Sequence, residues 1–153
     1  MPQESHQFVV LVAEDDANDL DLLKLAIHRE GIQTVLLRHV SDGQEAIDYL
    51  GGIESFADRA RYPFPDLVVL DNKMPGLNGF DVLDWIRKHP SCCRLPVVML
   101  SGSDLHTDIE AAYRCGVNTY FTKPGCIEEY RKIAHVMIDY WRQSRRCALG
   151  VVS

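Results

Sequence analysis

Apolar residues are arranged along the chain in two ways. Some form short unbroken runs. Others recur at every third or fourth position. Phe8-Val9-Val10-Leu11-Val12-Ala13, Leu67-Val68-Val69-Leu70 and Val97-Val98-Met99-Leu100 are runs of strand length. Thr34-Val35-Leu36-Leu37 and the shorter Asn118-Thr119-Tyr120-Phe121 read as two more strands. Between them lie helical spacings: Leu20, Leu23 and Ile27; Ala46, Ile47 and Leu50; Phe80, Leu83 and Ile86; and the segment 104–115. The last and longest follows at Ile127, Tyr130, Ile133, Ala134, Met137, Ile138 and Trp141. Asp16 or Asn18 is placed to cap the first helix, and Ser41-Asp42-Gly43 opens the second. Gly31, Gly51-Gly52, Pro90 and Gly116 end the first four in turn. The stretch 53–65 has no period and predicts a long loop.

Strand and helix thus alternate five times. The strands are continuous apolar runs, which predicts a parallel sheet covered by helices on both faces. Right-handed crossovers leave few ways to wind it. The 153 residues suffice for one domain with a sizeable core, at about 8–141, followed by a tail at 142–153. No internal repeat or low-complexity segment is visible.

Composition narrows the partners. Hydrophobic residues make up 46% and charged residues 25%, as in globular proteins that live in water. The net charge of -6 argues against nucleic acid, whose phosphates attract basic surfaces. No apolar stretch approaches the ~20 residues that span a membrane. The first seven residues lack the basic-then-apolar layout of a signal peptide, so the expectation is a cytoplasmic protein. The five cysteines have no CxxC pair and read as reduced thiols. The histidines are dispersed, without metal spacing, and read as surface or packing residues.

In sheets of this kind the functional crevice lies beyond the carboxyl ends of the strands. Glu14-Asp15-Asp16 follow the first strand, Asp71 the third, Ser101-Gly102-Ser103 the fourth and Thr122-Lys123-Pro124 the fifth. Converging carboxylates repel one another, which raises one pKa or calls for a cation. An all-oxygen set suits Mg²⁺, which takes one or two carboxylates, waters and phosphate oxygens. Lys123 and Ser101 on the opposite lip suit an incoming phosphoryl group. A carboxylate can act as nucleophile through an aspartyl-phosphate, and Asp71 is the central candidate.

Glu14-Asp15, the Leu70-Asp71-Asn72-Lys73-Met74-Pro75-Gly76 run with Gly79, Ser101-Gly102 and Lys123-Pro124 together resemble the receiver domain of two-component response regulators. The resemblance covers about 8–141. It implies a flavodoxin-like, doubly wound α/β/α fold with five parallel strands in the order 2-1-3-4-5. It also implies that Asp71 is the phosphoacceptor. Mg²⁺ would be held by Asp15, Asp71, the backbone carbonyl of Lys73 and, through water, Glu14. Lys123 would pair with the phosphoryl oxygens, or with Asp71 before modification. Ser101 would bond the phosphoryl group, and Tyr120 would turn inward as Ser101 moves. The implied partner is a sensor histidine kinase or a phosphotransfer protein, and the implied role is a phosphorylated switch rather than an enzyme. More narrowly, the chain resembles single-domain regulators associated with phytochromes, which suggests homodimers through the fourth-helix, fifth-strand, fifth-helix face.

Two positions depart from the family pattern. A lysine side chain at 73 could oppose Mg²⁺ or pair with Glu14, and Gly125 follows Lys123-Pro124 where an apolar residue is common. Plainer readings stand beside the functional ones: Asp16 as a helix cap, Tyr120 as a half-buried strand aromatic, and Arg142, Arg145 and Arg146 as a solvated helix end. Rival functions fit less well. A receiver-like binding module would not need the Asp71, Asp15 and Lys123 set. A flavin binder would want a Ser/Thr/Gly-rich loop where Glu14-Asp15-Asp16 stand. A haloacid-dehalogenase-type phosphatase would want a carboxylate where Lys73 stands.

Overall fold

The computed structural model describes residues 7–29 and 35–144. Five strands, β1 (Phe8–Ala13), β2 (Val35–Val40), β3 (Leu67–Leu70), β4 (Val97–Ser101) and β5 (Thr119–Thr122), alternate with five helices. The helices are α1 (Ala17–Arg29), α2 (Gly43–Gly51), α3 (Gly79–Lys88), α4 (His106–Arg114) and α5 (Ile127–Gln143). All neighbouring strands pair parallel, in the order β2-β1-β3-β4-β5. This is the doubly wound, flavodoxin-like fold and strand order expected.

The side chains of β1, β3 and β4 are buried throughout, because each has a strand on either side and helices over both faces. Two apolar layers result. Leu11, Val68, Leu70 and Met99 pack with α2 and α3 on one face, around Tyr49, Leu83 and Ile86. Val10, Val12, Val69 and Leu100 pack with α1 and α5 on the other, around Leu23, Ile27, Tyr130 and Ile138.

Boundaries differ from expectation at polar positions. β2 runs on through Arg38 and His39 to Val40, since the edge strand needs only one buried face and pairs with β1 as far as Ala13. Its expected start, Thr34, and the helix stop at Gly31 lie outside the described residues, as do Arg145, Arg146 and Cys147. α4 starts at His106, not at position 104. The Ser103 hydroxyl donates to Asp108 Oδ2 (2.5 Å) and accepts from the Leu105 amide (3.3 Å), which holds the preceding residues in a turn. Asn118 lies before β5 rather than in it. Its side-chain oxygen accepts from the Val97 amide and from Arg87, both at 2.8 Å. The long loop holds one turn of 3-10 helix, Glu54–Phe56. Arg59 pins it by donating to the carbonyls of Tyr49, Leu50 and Tyr62.

Candidate functional site

The crevice is built from strand ends. Asp16 caps α1, its Oδ1 accepting from the amides of Asn18 (2.8 Å) and Asp19 (3.0 Å). The cap turns the chain at once after β1 and leaves Glu14 and Asp15 at the crevice. Glu14 is itself clamped to β2: its amide donates to the Val40 carbonyl, and its carbonyl bonds to His39 Nε2 (2.7 Å). Asp71 directly follows β3, with its amide on the Ala13 carbonyl at 3.0 Å. The loop beyond it turns through Gly76, whose φ of +73° suits glycine, and returns against itself at Gly79. A Cβ at Gly79 would lie 2.6 Å from the Asp71 carbonyl oxygen and 2.8 Å from Met99 Cε, so only glycine fits beside Asp71. The Asn78–Asp81 capping box then starts α3.

Glu14, Asp15 and Asp71 each offer a carboxylate oxygen within 4.8 Å of the others. Mg²⁺ ligands at about 2.1 Å in an octahedron lie about 3–4 Å apart, so small side-chain adjustments would let these oxygens share one cation. Hard, anionic oxygen donors are also the right chemistry for such an ion. Glu14 is the least free of the three. Its Oε1 accepts from the Asp16 amide (3.0 Å) and its Oε2 from Lys123 (2.9 Å), which fits an indirect, water-borne role. Burial pushes its carboxyl up to about 7, against the pull of Lys123 and the Asp16 amide.

Lys123 comes from the end of β5, and its amide donates to the Ser101 carbonyl at 2.7 Å. One backbone bond thus ties together the two predicted residues of the far lip. The Lys123 ammonium reaches Asp71 Oδ2 at 3.1 Å. Burial works against that charge, but the hydrogen bonds it donates to the carboxylates of Asp19, Glu14 and Asp71 outweigh it and hold the lysine above its ordinary value. Ser101 is fully buried at the end of β4, and its Oγ accepts from the Ser103 amide at 3.4 Å. Tyr120 pairs with Met99 in the sheet, and its hydroxyl donates to the Ser103 carbonyl at 2.6 Å.

Three points differ from the sequence reading. The Lys73 side chain is exposed, and Glu14 pairs with Lys123 rather than with it. Lys73 instead donates its amide to Asp71 Oδ1 at 3.3 Å. His39, read as surface or packing, is a clamp on the Glu14 backbone. Asp19 was not singled out, yet its Oδ2 lies 2.7 Å from Lys123 Nζ. Its place in the first turn of a helix that starts at the crevice, three residues after the cap Asp16, was the available signal. Tyr130 of α5 lines the same small cavity as Glu14, Asp19 and Asp71. Burial, then the charge of Asp19, push its phenol up to about 12.

Comparison with known proteins agrees with this geometry. The family model described as the response regulator receiver domain matches residues 10–135. The structure of RPA3017, a response regulator in red light signaling of R. palustris, is 35% identical, with a TM-score of 0.85 over 95% of this chain and 99% of that one. The phosphorylated cyanobacterial phytochrome response regulator RcpA is 29% identical, with a TM-score of 0.83 over 95% and 99% of the two chains. Response regulator Rcp1 of Synechocystis is 29% identical over 89% of this chain and 90% of its own length. Its Mn(2+)-bound form gives a TM-score of 0.79 at 28% identity, over 94% and 99% of the two chains. With the acidic cluster, the fold and the ordered motifs in place, this chain belongs to the response regulator receiver domains of two-component signalling, and its close relatives include phytochrome-associated response regulators.

Proposed function

We propose that this protein is a phosphoacceptor in a histidine-kinase phosphorelay, switched by Mg²⁺-dependent phosphorylation of Asp71. The observation that carries the reading is the position of Asp71, with carboxylate oxygens of Glu14 and Asp15 within 4.8 Å and the Lys123 ammonium 3.1 Å from its Oδ2. A nucleophile so placed has a site for cationic neutralisation and a fixed positive charge for the incoming group.

In the transfer, an Asp71 oxygen forms a bond to phosphorus as the phosphorus–nitrogen bond of a partner phosphohistidine breaks. The electron pair of that bond stays on the imidazole. Mg²⁺, held by Asp15, Asp71, the Lys73 carbonyl and, through water, Glu14, would supply neutralisation of the phosphoryl charge. Lys123 orients a phosphoryl oxygen from the opposite lip, and the Ser101 hydroxyl donates to another.

The switch follows from the Ser103 segment. Tyr120 is bonded to the Ser103 carbonyl, two residues beyond Ser101. When Ser101 moves toward the phosphoryl group it pulls on that carbonyl and so on Tyr120, which rearranges the α4-β5-α5 face. That face carries exposed Leu105, Tyr113, Val136 and Tyr140. An open groove lined by Asn118, Phe121, Val136, Tyr140 and Trp141 runs beside it. It is the surface for homodimerisation or for a downstream protein. Among the described residues no helix is long and apolar enough to cross a membrane.

The test is intact-mass analysis after incubation with Mg²⁺ and acetyl phosphate, or with a phosphorylated histidine kinase. A single Mg²⁺-dependent phosphoryl adduct is expected, and none in Asp71→Asn. Absence of the adduct with both donors, in protein that is folded, would leave a receiver-like binding module instead.

A further inference from the structure

Lys123 meets three carboxylates, one from α1 and two from just beyond β1 and β3. Its ammonium lies 2.7 Å from Asp19 Oδ2, 2.9 Å from Glu14 Oε2 and 3.1 Å from Asp71 Oδ2. An ammonium has three N–H donors, so the three carboxylates can use all of them. A phosphoryl oxygen can then bind Lys123 only if one carboxylate lets go.

The three partners are not equivalent. Asp71 would carry the phosphoryl group, and Glu14 belongs to the acidic cluster. Asp19 is outside that cluster. It stands in the first turn of α1, with its amide on the Asp16 cap, and α1 packs along α5. Its position therefore depends on neither phosphoryl group nor cation. A bland reading is a surface ion pair of no consequence. Burial argues against it: the Lys123 side chain is only 13% exposed, while that of Asp19 is 30% exposed. The lysine has little water to fall back on if Asp19 is removed.

We infer that Asp19 is a positioning residue for phosphoryl transfer: it holds the Lys123 ammonium over Asp71 while the other donors pass from carboxylate to phosphoryl oxygens. The inference rests on the phosphoacceptor reading above. The alternative role for Asp19 is to cancel the lysine's charge and repel the donor. The two roles predict opposite signs, because an anchor speeds phosphorylation and a repellent slows it.

Asp19→Ala and Asp19→Asn would be compared with wild type in three measurements. The first is the ¹⁵N–¹H resonance of the Lys123 ammonium in unphosphorylated protein. It is expected to be visible in wild type, lost in Asp19→Ala and retained in Asp19→Asn, whose amide oxygen still accepts. The second is the rate of Mg²⁺-dependent phosphorylation by acetyl phosphate, expected to fall roughly tenfold in Asp19→Ala, the scale set by losing a positioned group, and to recover in part in Asp19→Asn. The third is Mg²⁺ affinity by calorimetry, expected to change less than about twofold, since a charge outside the ligand set acts only through screened distance. A rate equal to or above wild type in Asp19→Ala overturns the inference, as does a change in Mg²⁺ affinity large enough to explain the rate. If wild type itself takes up no phosphoryl group, the functional reading fails on its own. The resonance then decides alone: its survival in Asp19→Ala shows that Asp19 does not hold the lysine.

Discussion

Two cations at opposite ends of the sheet show two uses of a partly buried positive charge. At the crevice, Lys123 is surrounded by anions: Asp19, Glu14 and Asp71. At the other end, Arg87 of α3 has neutral acceptors among the described residues. It donates to the carbonyls of Gly116 (2.8 Å), Cys93 (3.2 Å) and Leu95 (2.7 Å) and to Asn118 Oδ1 (2.8 Å). Burial lowers the Arg87 pKa, whereas the carboxylates raise that of Lys123. The planar fork of Arg87 has one arrangement that satisfies four acceptors, so it staples α3 to the segments entering β4 and β5. The point charge of Lys123 has interchangeable partners, so a new anion can capture it. One end of the fold holds a cation with a single fitting arrangement of acceptors, the other a cation with interchangeable ones.

The sharpest way to break the comparison is Arg87→Ala. It leaves the carbonyls of Cys93, Leu95 and Gly116 without this donor, and we expect a loss of about 3 kcal/mol or more in urea unfolding. Arg87→Lys is expected to restore less than half of it, because an ammonium cannot reproduce the fork. The phosphorylation rate of the molecules that remain folded should not change.

Lys123→Ala should do the reverse. In EDTA it leaves carboxylates facing one another, and the expected loss of stability is roughly 1–3 kcal/mol at neutral pH. Added Mg²⁺ should recover much of that loss, while phosphorylation of Asp71 falls severely. A loss that Mg²⁺ leaves untouched would mean that the lysine is a staple like Arg87.

The staple end should also show alkaline sensitivity. Cys92 is fully buried, and burial pushes its thiol up to about 11 from 9.0. The unfolded thiol then ionises before the folded one, so the neutral form favours folding and stability falls as pH rises from about 9 to 11. We expect wild type to lose on the order of 1 kcal/mol more than Cys92→Ala across that window in denaturant titrations. Parallel curves would count against this reading. The smallest effect expected is at Lys73, whose exposed ammonium opposes the metal only through water. Lys73→Asn should tighten Mg²⁺ binding about twofold in calorimetry, and weaker binding would reject the electrostatic account.

How much of this was legible beforehand varies with the kind of interaction. The interior strands were read to within one residue, since continuous apolar runs leave no other home for them. The boundaries that moved were those where a polar side chain chose between sheet, helix and turn: Arg38 and His39 on an edge strand, Ser103 before α4, Asn118 before β5. Each choice depends on a partner distant in sequence or on a local side-chain bond that competes with the backbone. In the crevice, Glu14, Asp15, Asp71, Ser101 and Lys123 could be nominated because each lies at or just beyond the end of a strand, and strand ends share one edge. Asp19 and His39 escaped because they reach the crevice sideways, from a helix turn and from the neighbouring strand.

By itself, then, the sequence determined the alternation of strands and helices, the acids and the lysine at the strand ends, and the glycines where the chain turns. Those follow from hydrophobic period and backbone sterics, which act locally. Only the tertiary structure decided which carboxylates share the lysine, that the Glu14 backbone is clamped by His39, and that Tyr120 is tied to the segment beyond Ser101. Hydrogen bonds and ion pairs act over a few ångströms. Which groups come that close is settled by how the strands register and the helices pack.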